Sequence, residues 1–280
     1  NMNSNTITLF QFDHSFYIGT YIDLSEEYDT KEKSQAHYLC WGKKEGRCCC
    51  LEEMNHRYKK NSENAIASMN GFQNTSNKFF NILIRTSNRP EHFDECIQSV
   101  LRQNYTHFHV YICYDKKESL SYLEQYDENP QITHFFIDDA SQKQYKFNLY
   151  CNTLLDKVEK GYLLFLDDDN IFIGNRALEM INWCSGDHKI ITWKFLRPDK
   201  LIFKKDVQLP LNLGEIDTSN VCICSSIKND SNWTDEQYGD YHYYKPLFDN
   251  CDSKDKIHFD YTLTSTQFND KIGNFGKNIY

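Results

Sequence analysis

The stretch GYLLFLDDDN, residues 161–170, joins a short apolar run to three adjacent carboxylates, Asp167, Asp168 and Asp169. The run YLLFL is aliphatic and aromatic throughout, which is typical of a buried strand. Gly161 stands in front of it, where a preceding helix would end. Because adjacent negative charges repel one another, we expect a positive partner at the end of this strand.

Strand and helix patterns alternate on the N-terminal side of this stretch. The strand patterns are FFNILIRT (79–86), HFHVYICYD (107–115) and ITHFFIDD (132–139), and helical patterns begin at Pro90 and cover residues 147–161. This alternation predicts an α/β protein with a mostly parallel sheet and flanking helices. Ligands of such sheets lie beyond the carboxyl ends of the strands, so polar residues that follow the strands are candidates for a site.

The three carboxylates favour a hard divalent cation, Mn²⁺ or Mg²⁺, which also binds phosphate oxygens. Side chains at positions i and i+2 of an extended segment point the same way. Asp167 and Asp169 are therefore predicted to converge on the metal ion, while Asp168 points away. An acidic surface turn is the alternative, because a lone D-x-D pattern is common.

Composition argues against several classes of protein. The net charge of −9, from 31 basic and 40 acidic residues, disfavours a general binder of nucleic acid or anionic membranes. No stretch approaches the ~20 apolar residues that cross a bilayer, and the N-terminal residues lack a signal-peptide pattern. P-loop, dinucleotide-binding, zinc-protease and serine-hydrolase motifs are missing. The eleven cysteines have neither zinc nor disulfide spacing. We therefore expect a cytoplasmic protein with reduced thiols.

Three regions are predicted along the chain. Residues 1–60 carry short helical patterns and form a small helical module. Residues 61–78 are polar with few large apolar side chains, which indicates a linker or loop. Residues 79–280 form the α/β domain.

Residues 79–250 contain, in order, several motifs that resemble GT-A fold glycosyltransferases of family 2. In that family the first strand ends in a T-x-x-R-like turn, here Thr86 to Arg89. The following helix ends in S-V-L-x-Q, here SVLRQ, and the second strand ends in an aspartate, here Asp115.

The segment CNTLLDKVEKGYLLFLDDD resembles a second block of the family, R-N-x-G…A-x-G-x-Y-I-x-F-L-D-x-D. Asn152 stands at the position of the family's asparagine. This chain departs from the family at Cys151, which replaces an arginine, and at Lys116, which follows the aspartate of the second strand in place of Asp-Gly.

The resemblance implies roles for individual residues. Thr86, Arg89 and Asp115 would hold the uridine of a UDP-sugar, with Asn152 nearby. Asp168 would also help to bind the UDP-sugar. Asp167 would contact ribose or sugar, and Asp169 would bind the metal ion between the two phosphates. FFIDDAS offers Asp138 and Asp139 as competitors, and we prefer Asp115.

An inverting transferase also needs a carboxylate base near the acceptor hydroxyl. Asp240, in WTDEQYGDYHYYKPLF, resembles the family's base, and Asp217 and Glu236 are the alternatives. His242 or His258 would complete the metal shell or contact the phosphates, although a lone histidine more often does neither. An acceptor platform or, more commonly, core packing is expected for five aromatic residues, Trp193, Trp233, Tyr238, Tyr241 and Tyr243.

The implied function is metal-dependent, inverting transfer of a hexose from UDP-glucose or UDP-galactose to a hydroxyl acceptor. The alternatives are a non-catalytic module that binds nucleotide-sugar or carbohydrate, a transferase that acts on another glycan or lipid, and a nucleotidyltransferase. Composition and the N-terminal module resemble glycosyltransferases of giant DNA viruses (mimivirus-like), which implies a glycosylated hydroxylysine of a collagen-like protein as acceptor. The partners would be the donor and a glycan or glycoprotein acceptor, and a homo-oligomer is left open.

Overall fold

We describe a computed structural model of the chain. The residues it describes are 10–20, 24, 28–44, 47–50, 53–54, 56–57, 77–138, 143–184, 186–197, 201–202 and 209–267.

The chain divides into two compact units, residues 1–68 with 197–200 and residues 69–196 with 201–280. The predicted module of residues 1–60, the linker at 61–78 and the domain from residue 79 stay predictions. Most of the predicted linker lies outside the described residues.

The first unit contains two short helices, α1 (His14–Thr20) and α2 (Lys31–His37). Helix α2 begins where the Thr30 side chain accepts a hydrogen bond from the Lys33 amide, a common N-cap arrangement. It continues into a π-helical turn, Tyr38–Gly42. The core of this unit contains Tyr17, Leu24, Tyr38, Cys49 and Cys50.

The second unit carries the sheet. Its elements are β1 (Phe80–Thr86), α3 (Pro90–Leu101), β2 (Phe108–Tyr114), α4 (Leu120–Leu123), β3 (Ile132–Phe136), α5 (Lys146–Lys157), β4 (Tyr162–Phe165), β5 (Asn170–Phe172), α6 (Ala177–Cys184), β6 (Ile190–Leu196), β7 (Leu201–Ile202), β8 (Val221–Cys224), α7 (Gly239–Asn250) and β9 (Lys256–Thr266).

The strands form one mixed sheet in the order β3-β2-β1-β4-β8-β6-β9-β5, and β7 pairs with β6. The pairs β1–β2, β1–β4, β2–β3 and β6–β9 are parallel, whereas β8 is antiparallel to both of its neighbours. The carboxyl ends of β1, β2, β4, β6 and β9 therefore meet at one edge of the sheet. The amino end of β8 lies at that same edge. The predicted fold class, α/β with a mostly parallel sheet, is confirmed.

The core on one face of the sheet is built from every second residue of the strands and from two helices. Leu83, Leu163 and Phe165 pack there with α5 and α7. Arg85, the next residue of this parity along β1, points to this face at the polar edge, where it contacts Asp167 beyond the end of β4. The alternation along β1 therefore places the Arg85 guanidinium on the face covered by α5 and α7.

Two predicted boundaries are wrong. Helix α5 ends at Lys157 and not at Gly161, which lies just before β4 with φ +95°. A Cβ at this glycine would come 2.5 Å from the Phe79 carbonyl oxygen, so glycine is required by close backbone packing. Strand β3 ends at Phe136, short of the predicted residue 139. No helix in the described residues is long and apolar enough to cross a membrane.

Candidate active site

The three aspartates lie in a turn at the polar edge of the sheet. Strand β4 ends at Phe165, and the Asn170 amide donates to the Asp167 carbonyl oxygen at 2.8 Å. The backbone is therefore not extended here, and the expected alternation of side-chain directions does not apply. We call residues 167–169 the Asp turn.

Arg85 provides the first positive partner of the Asp turn. Its Nε donates to Oδ1 of Asp167 at 3.1 Å, and its Nη1 donates to the Phe147 carbonyl oxygen at 2.9 Å. The parallel register explains this pair, because Leu83 of β1 lies beside Phe165 of β4, and two further residues bring Arg85 beside Asp167. Burial lowers the pKa of Arg85, but the charge of Asp167, the hydrogen bond to it and the neighbouring thiols together raise the pKa above its ordinary value, so the guanidinium stays charged.

Asp168 is the buried member of the turn, with 3% of its surface exposed. Its Oδ2 accepts from the Thr86 hydroxyl at 2.8 Å, and its Oδ1 lies 2.9 Å from Nη1 of Arg89. Burial raises the pKa of Asp168 to about 7 and Asp169 adds to this, although the Arg89 charge acts in the opposite direction. Thr86 and Arg89, which were predicted to hold uridine, are thus directed at the Asp turn.

Asp169 pairs with the other nitrogen of the same guanidinium, Nη2 of Arg89, at 3.0 Å. Arg85 and Arg89 thus supply two positive charges against three carboxylates. The charge repulsion is largely relieved by protein groups, so the aspartates do not require a metal ion for this reason.

The donor set of the Asp turn nevertheless fits a divalent cation. Nε and Nη2 of Arg85 both bind Oδ1 of Asp167, and Nη2 of Arg89 binds Oδ2 of Asp169. In the described part of the chain, Oδ2 of Asp167 and Oδ1 of Asp169 have no protein partner, and both side chains are partly exposed. Mn²⁺ and Mg²⁺ take few carboxylate ligands when phosphate oxygens complete the shell. No group of three or more His, Cys, Asp or Glu side chains that could hold a metal by itself occurs among the described residues.

Asp115 follows β2 at the same edge, with its side chain 2% exposed. Oδ2 lies 3.1 Å from Nζ of Lys146 and accepts from the Tyr150 hydroxyl at 3.3 Å. Oδ1 is buried and has no hydrogen-bond partner. A buried carboxylate oxygen without a donor is costly, and a ligand N–H would satisfy it. Asp115 is therefore a candidate for ligand recognition.

Helix α5 holds the loop that precedes Asp240. The Tyr145 amide donates to Oδ1 of Asp235 at 2.6 Å, Nδ2 of Asn148 donates to the Glu236 carbonyl oxygen at 2.9 Å, and the Asn152 amide bonds both the N–H and the C=O of Trp233. Residues 145, 148 and 152 share one helix face. Asn152, predicted to lie near uridine, thus has its side-chain amide paired with this loop.

Close packing fixes the end of that loop. Tyr238 adopts a left-handed conformation with φ 62°, uncommon for a residue other than glycine. A Cβ at Gly239 would come 2.4 Å from Nδ2 of Asn148, so this position has no room for a larger residue. The contact determines where α7 begins and hence where Asp240 lies.

The charges of Asp167 and Arg85 act on Asp240, which links this residue to the Asp turn. Its Oδ1 accepts from the Tyr241 amide at 2.8 Å. Burial raises the pKa of Asp240, the Asp167 charge raises it further, and Arg85 acts in the opposite direction. A carboxylate with a raised pKa near a cluster of polar groups is suited to accept a proton.

The alternatives to Asp240 have other surroundings. Asp217 caps the short 3₁₀ helix Thr218–Asn220, where its Oδ1 accepts from the Ser219 amide. The side chain of Glu236 is 61% exposed and lies 3.8 Å from His242. His242 is also exposed.

His258 does not approach the Asp turn. It lies near the start of β9 and its Nδ1 bonds the Thr192 hydroxyl at 2.9 Å. Eight residues of strand separate it from Thr266 at the polar edge, roughly 26 Å at 3.3 Å per residue. The suggestion that His258 completes the metal shell is therefore wrong.

Three of the five candidate platform aromatics, Trp193, Trp233 and Tyr243, are at most 2% exposed and belong to the core. Tyr238 is 52% exposed and Tyr241 is partly buried. Of the competitors to Asp115, Asp138 is exposed and Asp139 lies outside the described residues.

Sequence reasoning missed three residues that bind the Asp turn. Arg85 sits inside an apolar strand pattern and gave no sign of its partner. Oγ of Ser219 accepts from the Asp167 amide at 3.4 Å and from Nδ2 of Asn170, next to the turn, at 2.7 Å. Gln267 donates to two carbonyl oxygens of the turn. Ser219 lies shortly before β8, and Gln267 directly follows β9. Their places next to strand ends were the only sign in the sequence that they could lie at this edge.

The fold brings the Asp turn and the carboxylate that follows the second strand to one edge of the sheet, the arrangement implied by the family that the sequence motifs resemble. The family model "Glycosyl transferase family 2" matches residues 81–246, more than half of the chain, and the chain belongs to this family. The predicted family and the prediction of a glycosyltransferase are thereby confirmed at the level of family. A comparison with curated proteins finds no match.

Solved structures support the fold. The chain is similar to S. aureus TarS 1–349, with 15% identity and a TM-score of 0.55 over 67% of this chain and 60% of that chain. It is also similar to TarS 1–349 in complex with UDP-GlcNAc (15% identity, TM-score 0.52, 67% of this chain and 58% of that chain). The complex with UDP gives 14% identity and a TM-score of 0.52 over 67% of this chain and 60% of that chain. The chain thus spans about 60% of the length of the TarS 1–349 chain.

Proposed function

We propose that this chain transfers a hexose from a UDP-sugar to a hydroxyl acceptor in a metal-dependent, inverting reaction. The single observation that carries the proposal is the meeting of Asp115, the Asp turn and Asp240 at the carboxyl edge of one sheet. These residues follow β2, follow β4 and begin α7, so the fold brings them together from distant parts of the chain.

The donor would be recognised first through its base. The buried Oδ1 of Asp115 has no partner in the protein, and the N3–H of uracil is a donor of the right kind. Lys146, 3.1 Å from the other oxygen, places a positive charge beside the carboxylate, and a carboxylate accepts hydrogen bonds and does not donate them. The fold likeness to TarS, whose structures contain UDP and UDP-GlcNAc, agrees with a UDP-sugar. UDP-glucose and UDP-galactose are our first choices.

Asp167 and Asp169 would hold the metal ion through the oxygens that the arginines leave open. When bound, Mn²⁺ or Mg²⁺ stabilises the negative charge that grows on the departing diphosphate. Arg85 and Arg89 fix the two carboxylates from the opposite side and keep their orientation. Asp168 is buried beneath them and anchors the turn to Thr86.

Asp240 would take the proton of the acceptor hydroxyl as that oxygen attacks the anomeric carbon. Its raised pKa improves the match to a hydroxyl that becomes acidic in the transition state. The exposed Tyr238, two residues earlier, would stack on the acceptor sugar. We propose a glycosylated hydroxylysine of a collagen-like protein as acceptor, in the cytoplasm of a host cell infected by a large DNA virus.

The test is release of UDP from a panel of UDP-sugars with and without Mn²⁺. We expect the parent protein to release UDP only with the metal ion, and Asp169→Asn to lose at least 100-fold in rate, within the range found for removal of one electrostatic group from an active site. Asp252→Asn is the matched control, since its side chain is 75% exposed and pairs only weakly with Lys254 at 3.8 Å.

Each outcome is decisive. Equal UDP release by the parent and Asp169→Asn, or no release with any donor, would sink the proposal in favour of a non-catalytic binding module. Release of pyrophosphate would instead show a nucleotidyltransferase. Mass spectrometry of a collagen-like peptide, with and without a prior hexose on hydroxylysine, identifies the acceptor.

A further inference from the structure

Gln267, the residue that follows β9, makes a set of contacts that neither the sequence motifs nor the family match covers. The family match ends at residue 246. Gln267 is completely buried. Its Nε2 donates to the carbonyl oxygens of Asp168 at 3.0 Å and His92 at 2.7 Å. Its backbone amide donates to the Asp169 carbonyl oxygen at 2.8 Å.

These contacts determine the orientation of the amide. Both partners of Nε2 are carbonyl oxygens, which accept and never donate, so the reversed amide would place oxygen against oxygen. Oε1 therefore faces Nδ1 of His92 at 3.0 Å. Since Oε1 can only accept, Nδ1 of His92 must carry a proton. The two side chains thus bind each other in a single arrangement.

Gln267 therefore connects three parts of the fold at the candidate site. It lies at the carboxyl end of β9, holds two successive carbonyls of the Asp turn, and binds the first turn of α3 through His92. Arg89, which pairs with Asp168 and Asp169, stands three residues before His92. Gln267 therefore binds the backbone on both sides of this ion pair, near Arg89 and at the two aspartates.

We propose that Gln267 is a positioning residue that holds the Asp turn in the geometry needed to bind a divalent cation together with a nucleoside diphosphate. The proposal rests on the proposed function, since the cation and diphosphate belong to the same site. Gln267 acts indirectly, through the Asp turn and His92, because both polar atoms of its side chain and its backbone N–H are bonded to protein groups. Without this side chain, the Asp168 carbonyl oxygen loses the Nε2 donor. The Asp169 carbonyl oxygen keeps the backbone N–H of residue 267, but the turn is then held by one bond in place of two and its alignment is lost.

The chain contains a matched control, Gln103. It is also buried, with 5% exposure, and its Nε2 also donates to two carbonyl oxygens, those of Ser99 at 3.0 Å and Gly174 at 2.9 Å. Its Oε1 accepts from the Leu178 amide at 3.2 Å. Gln103 thus performs the same structural task away from the Asp turn.

The experiment compares Gln267→Met and Gln103→Met in the full chain. Thermal unfolding measures the stability of each variant, and electron paramagnetic resonance measures binding of Mn²⁺ in the presence of UDP without any turnover. We expect both variants to lose stability to a similar extent. Only Gln267→Met is expected to bind Mn²⁺ with UDP at least tenfold more weakly, the usual effect of removing a group that orients a metal ligand.

His92→Phe is a second variant for the case in which Gln267→Met does not fold. It removes the donor to Oε1 and leaves the two bonds donated by Nε2, and His92 is partly exposed. We expect a weakening of Mn²⁺ binding of about threefold, a fraction of the full loss.

The outcomes separate the two proposals. If the parent binds Mn²⁺ with UDP and neither Gln267→Met nor His92→Phe weakens binding more than Gln103→Met, the positioning role is wrong and the proposed function stands. If the parent protein binds no Mn²⁺ with UDP, both are wrong. Selective weakening by the Gln267 and His92 variants supports the role.

Discussion

Arg85 and Asp167, which lie 82 residues apart in the chain, form an ion pair across two neighbouring parallel strands, with Arg85 Nε 3.1 Å from Oδ1 of Asp167. Arg85 is one of the positive partners expected beside the three adjacent aspartates. A guanidinium from β1 is delivered to the Asp turn by strand register. Arg85 also lies near Cys151 of α5: burial raises the pKa of that thiol, and the Arg85 charge acts in the opposite direction.

Replacing Arg85 by Met is expected to lower the free energy of unfolding by about 1–3 kcal/mol, because Oδ1 of Asp167 loses its donors in a partly buried place. The double variant Arg85→Met/Asp167→Leu should regain most of this loss, since it leaves no unpaired charge. Urea unfolding at pH 7 measures both. Equal losses in the single and double variants would show that the pair is not coupled.

Asp115→Asn is expected to weaken binding of UDP about 10- to 150-fold, the equivalent of about 1.5–3 kcal/mol for a hydrogen bond to a charged group. Cytosine has no N3–H, so the parent protein should prefer UDP over CDP and the variant should lose this preference. Calorimetric titration with the two nucleotides measures the ratio. The control is Asp127→Asn, an exposed carboxylate that pairs with His134; an unchanged UDP-to-CDP ratio in Asp115→Asn contradicts the assignment.

Asp240→Asn is expected to lower kcat about 10²- to 10⁴-fold, the usual contribution of a general base. Because burial raises the pKa of Asp240 above its ordinary value of 3.8, the rate of the parent protein should fall on the acid side at a pH above 3.8. Glu236→Gln, an exposed carboxylate in the same loop, serves as the control and should keep both the rate and the pH profile.

The same pKa shift predicts a gain of stability in Asp240→Asn. A carboxyl group whose folded pKa is raised stabilises the protein fully below its unfolded pKa and loses this contribution as pH rises through the folded value. Once the pH exceeds the folded pKa, the parent therefore carries a partly buried charge that the variant lacks. We expect a higher Tm for Asp240→Asn at pH 8 and no such difference at pH 3; a lower Tm at pH 8 would contradict the sign of the shift.

Gly239→Ala is expected to displace the start of α7, because the added Cβ would come 2.4 Å from Nδ2 of Asn148. The rate should fall through the movement of Asp240, since small misplacements of a reacting group cost about 10²-fold. The second change Asn148→Ala makes room for the methyl group and should restore part of the rate. No recovery in Gly239→Ala/Asn148→Ala would show that the left-handed turn at Tyr238, and not the contact with Asn148, sets the position of α7.

The elements that bear short, regular patterns could be predicted from the sequence. Strands β1, β2 and β4 and helices α3 and α5 lie within a few residues of their predicted bounds, because apolar runs and helical spacing report burial directly. Asp115 and the three aspartates were predicted at strand ends, and the structure places them at one edge.

The pairings within the site could not be predicted in the same way. The direction of the aspartate side chains was inferred from an extended backbone, but a turn follows Phe165, and Asp168 became the buried member. Arg85 reads as one polar residue within an apolar strand, and only the register of β1 against β4 assigns its partner. Gln267 directly follows β9, whose place beside β5 depends on crossovers that local patterns do not encode.

The position of β9 in the sheet has a consequence for synthesis of the chain on the ribosome. Strand β5, which directly follows the Asp turn, stands at the end of the strand order, with β9 as its neighbour. Gln267 is therefore translated 99 residues after Asp168, and only then can it bind the carbonyl groups of the turn. Contacts this distant form late and slow folding. A nascent chain that stalls before β9 emerges would expose an unpaired strand next to a cluster of like charges, a state prone to capture by chaperones or to aggregation.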